Sequence, residues 1–410
     1  MDYTPDNNIQ NFADGNGVRN TDNGTGFQEP SFTAQNPDAN FRQNDYGSAR
    51  YTPSPSEIYN ATAPGNAPQY HYGTNQSFFN PRYLEEHRQK MLLRKRTEKQ
   101  IRTLGTNTGV TLLLVLAFSY VLSLFLVISN LRPLYDTNAA FAGAFGIFYS
   151  AISVGGSFLI GSMLFKKSGS HGSIPYNPPR DKRKNLLLIL MGFGGCLIAN
   201  YITSFLRILA EGVGIYSDYT ALEEPSSLLD VIIIFVGSAI VPPLFEEFAM
   251  RGVLMQNLRK HGDAFAIITS AFVFGLFHGN AVQMPFAFLC GLIIGYAVIA
   301  TESLWTGIII HGLINAMSAI SSALIYYFDE NVSNLFFYIA SAVGVAVGII
   351  ALLIYSSCYK NHKLKNPDKN GMGLSGGEKF SKFITSPFMI LAIIIYLIEA
   401  ISQLAASSIG

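Results

Sequence analysis

Residues 241–252 read VPPLFEEFAMRG and lie inside a long apolar stretch. The paired prolines interrupt the preceding helix and are well placed at the first turn of a new one. In that helix Glu247 and Arg251 are four residues apart on one face, with the acid before the base, which is the favoured order for an ion pair. Glu246 projects about 100° away from Glu247. The spacing therefore predicts a structural pair of Glu247 with Arg251 and leaves Glu246 for chemistry.

The composition around this stretch is that of a membrane protein. Of 410 residues, 49% are hydrophobic and only 13% are charged, against about 25% charged in average soluble domains. Apolar stretches of about 20 residues are long enough to cross a bilayer as helices. We predict an all-α polytopic membrane bundle of eight to nine transmembrane helices, the fifth of them short, with spans near 108–131, 138–165, 185–208, 229–259, 263–279, 283–300, 303–327, 334–357 and 384–408.

The connecting segments alternate in charge. Eight Lys and Arg residues lie in 81–105 and six in 166–184, and segment 358–383 is rich in Lys. The intervening segments run acidic, with Glu223 and Glu224 in one and Asp329 and Glu330 in another. Because Lys and Arg mark the cytoplasmic side, nine spans predict a multi-pass cell-membrane protein whose N-terminus is cytoplasmic.

Residues 1–80 differ from the rest of the chain. They are rich in Asn, Gly, Pro and Ser, contain no Lys and show no apolar periodicity, which predicts a disordered polar tail. Near the other end, LSGGEK at 374–379 lacks the phosphate-binding loop that would accompany an ATP-cassette signature, and we interpret it as a flexible linker. The predicted parts of the chain are the tail 1–80, a basic juxtamembrane segment 81–107, N-terminal membrane helices 108–225, a core 226–327 and C-terminal membrane helices 328–410.

Two more spans in the core carry polar groups. AFVFGLFHGN places Phe274 and His278 four residues apart, and HGLINA does the same for His311 and Asn315. Ionisable side chains at bilayer depth are costly unless they are paired or face water, so they are candidates for a functional site. At ~1.5 Å per residue, the helices can place these groups and the acid pair in one layer.

Three readings of this set remain open from the residues alone. Glu246 and His278 around one water form a general base for hydrolysis, and His311 with Asn315 can donate hydrogen bonds to an oxyanion. Alternatively, Glu246, His278 and His311 form a two-histidine, one-carboxylate set of the type that holds catalytic zinc. The third reading is a polar packing network inside a transporter or scaffold.

The three motifs resemble those of the CPBP family of CAAX-type and bacteriocin-processing intramembrane proteases, also called Abi proteins. The family pattern is E-E-x-x-x-R, then F-x-x-x-H, then H-x-x-x-N, and this chain has each motif in that order. The resemblance implies a membrane endopeptidase with its protease core in 226–327. Glu246 and His278 would activate water, and His311 and Asn315 would stabilise the oxyanion. The family is labelled metalloprotease, so zinc is an implied cofactor beside a metal-free, glutamate-dependent mechanism.

The leading hypothesis is a peptidase that cuts a membrane-associated protein or peptide, CAAX-like or a leader peptide, from the cytoplasmic side. The expected partners are this substrate and the lipid bilayer, without nucleic acid, and the oligomeric state stays open. The alternative is a non-enzymatic membrane protein, either a bacteriocin self-immunity or scaffold protein or a transporter. Transporters often contain repeated halves with matching broken helices, and the single double-proline interruption has no counterpart here.

Overall fold

A computed structural model describes the parts of the chain that surround the motifs. All regular structure within these residues is helical, and eight of the helices are long and apolar enough to cross a membrane. The predicted helical membrane bundle is therefore confirmed. The segment predicted to be a disordered tail, residues 1–80, lies outside the described residues, which are 81–167, 173–215, 225–359, 363–367 and 373–409.

Eleven helices follow one another in the described part of the chain. The fifth predicted span is a helix of 15 residues, shorter than the others that cross the bundle, as its sequence indicated. The helices are α1 Pro81–Ile128, α2 Arg132–Thr137, α3 Ala139–Lys167, α4 Lys182–Gly212, α5 Leu228–His261, α6 Asp263–Phe277, α7 Gln283–Thr301, α8 Leu304–Tyr327, α9 Glu330–Cys358, α10 Gly376–Ile384 and α11 Pro387–Ile409.

Close helix packing builds the bundle around α4 to α8. Helix α9 packs along α4, α11 packs along α1, and α6 packs against α7. The α4–α9 contact is backbone to backbone, because a Cβ atom added to Gly194 would lie 2.9 Å from the Cα atom of Gly348. Helices in lipid gain little from hydrophobic burial against each other, so small residues that allow this approach are what hold such a pair together.

Helix α5, which carries the acid pair, is widened rather than broken. The turns Val236–Ile240 and Phe248–Leu254 are π-helical, with backbone hydrogen bonds between residues five apart. Pro242 and Pro243 lie between these turns. The prediction that the prolines separate two helices is wrong in this respect, because the helical path continues through them. The wide turns accommodate the two prolines, which have no backbone N–H to donate. Such π turns are frequent at functional sites.

A charge cluster fixes the far end of α5. Arg259 donates to Asp263 at the start of α6, with 3.0 Å between Nε and Oδ1, and to both carboxylate oxygens of Glu302 after α7, each at 2.8 Å. A bidentate guanidinium–carboxylate pair constrains orientation as well as distance. Three helix ends are therefore held in register about four turns from the acid pair.

Helix α10 replaces the predicted linker. Ser375 accepts from the N–H of Glu378 while the Glu378 carboxylate accepts from the N–H of Ser375, which is a complete capping box. The backbone and hydroxyl of Ser375, with Arg94 on α1, hold the pKa of Glu378 below its usual range. The interpretation of 374–379 as a flexible linker is therefore wrong. Ser375 and Glu378 are three residues apart, which is the spacing of a capping box and a signal for the start of a helix. The similarity of LSGGEK to an ATP-cassette signature drew attention away from that signal.

Candidate active site

His278 lies at the C-terminal end of α6. Gly279 follows it with a φ of 60°, a left-handed conformation that favours glycine and ends the helix there. The His278 Nδ1 atom is 2.8 Å from the carbonyl oxygen of Phe274. Because a carbonyl only accepts, Nδ1 carries the proton, and in the neutral ring Nε2 is left with a free lone pair.

Glu247 lies at the centre of a buried charge network. Its Oε1 atom is 2.7 Å from Nη1 of Arg251 and 3.0 Å from Nδ1 of His311. Both charged side chains are fully enclosed, with 0% and 1% of their side-chain surface exposed. The acid that spacing assigned to Arg251 thus also orients an imidazole 64 residues further along the chain, a contact that the sequence analysis did not predict.

The ring of Phe274 packs against three of these groups. The guanidinium carbon of Arg251 lies 4.5 Å from its centroid, as in a cation–π contact. The imidazole of His278 is 4.9 Å away and that of His311 is 5.7 Å away, both edge-on. Phe274 therefore contacts all three side chains and helps to fix their positions.

Asn315 is held by the carbonyl of Ser238, which has no helical N–H partner because of the two prolines. Its Nδ2 atom donates to the Ser238 carbonyl at 2.9 Å. In a helix that carbonyl would accept from residue 242 or, in a π turn, from residue 243, and both are proline without an N–H. Asn315 supplies the missing donor and keeps its second N–H for another acceptor.

One cavity brings the candidate groups together. It has a volume of about 590 Å³ and is lined by Glu246, His278, His311 and Asn315 among others. The Oε2 atom of Glu246 is 3.9 Å from Nε2 of His311. Glu247 does not line the cavity. The structure thus places the two adjacent glutamates differently, one on the cavity wall and one in the buried network, as their helical spacing predicted.

A polar stripe on α4 forms the opposite wall of the cavity, and the sequence analysis missed it. Asn200, Thr203, Ser204 and Arg207 all line the cavity. They are spaced at i, i+3, i+4 and i+7, so they share one face of α4. This spacing is the signal that could have identified them in the sequence.

The donor types at the cavity fit zinc. Each imidazole uses Nδ1 on a carbonyl or carboxylate and leaves Nε2, as ligating histidines do. If zinc binds, Glu246, His278 and His311 are the residues that would hold it. As the side chains stand, no three His, Cys, Asp or Glu residues in the described ranges converge into a group able to hold a metal ion.

These features define a polytopic helical membrane protein with an acid, two imidazoles and an amide around one intramembrane cavity. Residues 228–317 match the family model described as Type II CAAX prenyl endopeptidase Rce1-like. The match extends from α5 into α8 and includes every residue of the three motifs, which confirms the resemblance to the CPBP proteases for this core. The similarity to CAAX-type endopeptidases covers 90 of the 410 residues. Comparisons with curated proteins and with solved structures gave no significant match.

Replacing Glu247 by alanine should destabilise the protein strongly. The change strands the buried Arg251 charge and removes the acceptor of His311, and breaking a buried pair in this way costs roughly 3–5 kcal/mol. The matched control is Glu211→Ala, which removes a looser pair with Arg207 (3.7 Å, both side chains more than a third exposed) and should cost about 1 kcal/mol or less. Unfolding in detergent micelles measures both, and equal losses would contradict a special role for Glu247.

Proposed function

We propose that this protein is an intramembrane endopeptidase that hydrolyses a peptide bond in a membrane-associated substrate. The observation that carries the proposal is the single cavity into which α5, α6 and α8 direct Glu246, His278, His311 and Asn315. The match of residues 228–317 to the CAAX endopeptidase model supports the same reaction class.

Water activation is assigned to Glu246 and His278. The Glu246 carboxylate takes a proton from water as the water oxygen attacks the scissile carbonyl carbon. His278 offers Nε2 as an acceptor for the other water proton, because its Nδ1 proton is committed to the Phe274 carbonyl. Two acceptors on one water orient its lone pair towards the substrate.

Oxyanion stabilisation is assigned to Asn315 and His311. The N–H of Asn315 that is not bound to Ser238 can donate to the developing oxyanion. His311 donates its Nδ1 proton to Glu247, so its Nε2 donates only when the ring carries both protons. The Nε2 atom of His311 lies 3.9 Å from Oε2 of Glu246.

The tetrahedral intermediate then collapses. The carbon–nitrogen bond breaks, and the proton held by Glu246 passes to the departing amine. One water is consumed, and the products are a peptide carboxylic acid and a peptide amine. Glu246 returns to its ionised form, so a single carboxylate serves first as base and then as acid.

The substrate class follows from the cavity and its surroundings. Apolar residues such as Phe286, Ile314 and Phe337 line much of the wall, which suits an apolar peptide segment of a CAAX-like tail or a leader peptide. The lipid bilayer is the second partner. The Lys- and Arg-rich segments support an orientation with the N-terminus in the cytoplasm.

Exchanging Glu246 for glutamine should abolish cleavage while the fold survives, because the amide keeps the volume but cannot accept a proton from water. We expect a rate loss of roughly 100-fold or more. Cleavage of fluorogenic prenylated-tail and leader peptides in micelles measures this, with the exposed Glu86→Gln on α1 as the control. A folded Glu246→Gln protein that cleaves normally would contradict the role of Glu246 as the base, whereas no cleavage by the unmodified protein would favour the immunity or scaffold alternative.

Truncating Asn315 to alanine should lower kcat more than it changes KM. The lost N–H acts on the transition state, and removal of one oxyanion donor typically costs about 10²–10³ in rate. Ser318→Ala is the matched control, since Ser318 lies one turn further on α8 and also lines the cavity. If the two variants behave alike, Asn315 has no donor role in catalysis.

Metal dependence separates the two hydrolytic mechanisms. When bound, zinc would polarise the carbonyl and acidify water. We expect instead that cleavage persists after chelation and that purified protein holds less than one zinc per chain, because Asn315 is a poor zinc ligand but a good hydrogen-bond donor. Elemental analysis and activity with and without chelator test this. Loss of activity on chelation that is restored by zinc would overturn the metal-free reading.

A further inference from the structure

The active-site cavity is closed at one end and open at the other. At the closed end it is lined by Cys196 on α4 and Ile294 on α7, which are 0% and 1% exposed. Further along α4, Thr203 is 8% exposed and the Arg207 side chain 44%. Exposure of the lining thus increases towards the C-terminal end of α4.

Five of the six helices that line the cavity agree on this direction. The lining residues lie from the middle of α4 to Arg207 and in the first two thirds of α5 and α7, and they include His278 at the end of α6 and Phe337 near the start of α9, while those of α8 lie around its middle. Consecutive helices in such a bundle run in opposite directions. The open end therefore lies at the end of the bundle where α4 and α8 end and where α5, α7 and α9 begin.

The charges of the connections distinguish the two ends of the bundle. Of the segments that connect helices at the open end, 213–227 carries Asp218, Glu223 and Glu224 without Lys or Arg, and 129–138 carries one base, Arg132, and one acid, Asp136. The segments at the opposite end are the basic ones: eight Lys and Arg residues in 81–105, six in 166–184, Arg259 with Lys260 at the C-terminal end of α5, and the lysines of 358–383. Basic connections stay in the cytoplasm, so the cavity opens at the other end.

We infer that the active-site cavity opens on the extracytoplasmic face of the membrane and takes its substrate from there. This inference rests on the proposed function for its substrate and narrows it to peptide segments present at the outer surface, such as exported or leader peptides. A prenylated tail displayed on the cytoplasmic surface would face the closed end. This inference differs from the sequence prediction of cleavage from the cytoplasmic side, because a cytoplasmic N-terminus places the closed end of the cavity on that side.

The polar stripe of α4 fits an aqueous entry path at that end. From Arg207 to Asn200 it runs about 10 Å along the helix, and the groups between them line the same cavity wall. Polar groups at membrane depth are stable where they line a water-filled cavity. Water and an extended peptide can therefore reach Glu246 from the open end without crossing lipid.

Cysteine labelling in intact cells tests the inference directly. In the full-length protein, Cys196, Cys290 and Cys358 are first replaced by serine or alanine, and single cysteines are then introduced by Ser318→Cys at the open end of the cavity and Lys363→Cys in a basic connection. Asn331→Cys, beside the acidic Asp329, reports the open-end surface. A membrane-impermeant maleimide is applied before and after permeabilisation.

The expected result is that Ser318→Cys and Asn331→Cys are labelled in intact cells and that Lys363→Cys is labelled only after permeabilisation. Labelling of Lys363→Cys in intact cells would overturn the orientation. Failure of Ser318→Cys to react under both conditions, while Asn331→Cys reacts, would overturn the open end. The same pattern is expected in the Glu246→Gln background. A failed protease assay and a failed topology are therefore separate outcomes.

Discussion

A fully buried ion pair, Glu247 with Arg251, holds the centre of this membrane protein together. Glu247 joins α5 to α8 through His311, and Arg251 reaches the carbonyl of Gly291 on α7 at 3.4 Å. Arg251 also packs on Phe274 of α6. Four helices therefore meet at two charges that water does not reach. Because neither charge can be left alone at this depth, alternative arrangements of these helices are strongly disfavoured.

The same pair prepares the chemistry without taking part in it. By holding Nδ1 of His311, Glu247 determines that Nε2 is the nitrogen turned towards Glu246. Groups fixed before the substrate arrives need no reorganisation during the reaction, which is how enclosed polar sites become effective. The two adjacent glutamates thus have different roles. The buried Glu247 orients His311, and Glu246 faces the cavity, where it can react with water.

Features set by local spacing could be predicted, and features set by distant contacts could not. The Glu247–Arg251 pair and the contact of Phe274 with His278 depend on four-residue spacing within one helix, and the sequence predicted both. The contact of Glu247 with His311 and that of Asn315 with Ser238 cross between helices, so they depend on packing that no local pattern encodes. The direction in which the cavity opens could not be predicted either. The connecting segments show which end of the bundle is basic, but only the packing of the helices shows at which end the cavity is closed.

The bond between Asn315 and Ser238 makes spacing more important than residue identity in this part of the chain. A carbonyl is released at one position because two prolines follow it four and five residues later. Inserting or deleting one residue between Ser238 and Pro242 would turn the released carbonyl about 100° around α5, away from the amide on α8. The number of residues between Ser238 and Pro242 is thus more tightly constrained than the identity of the side chains at 239–241, which take no part in that hydrogen bond.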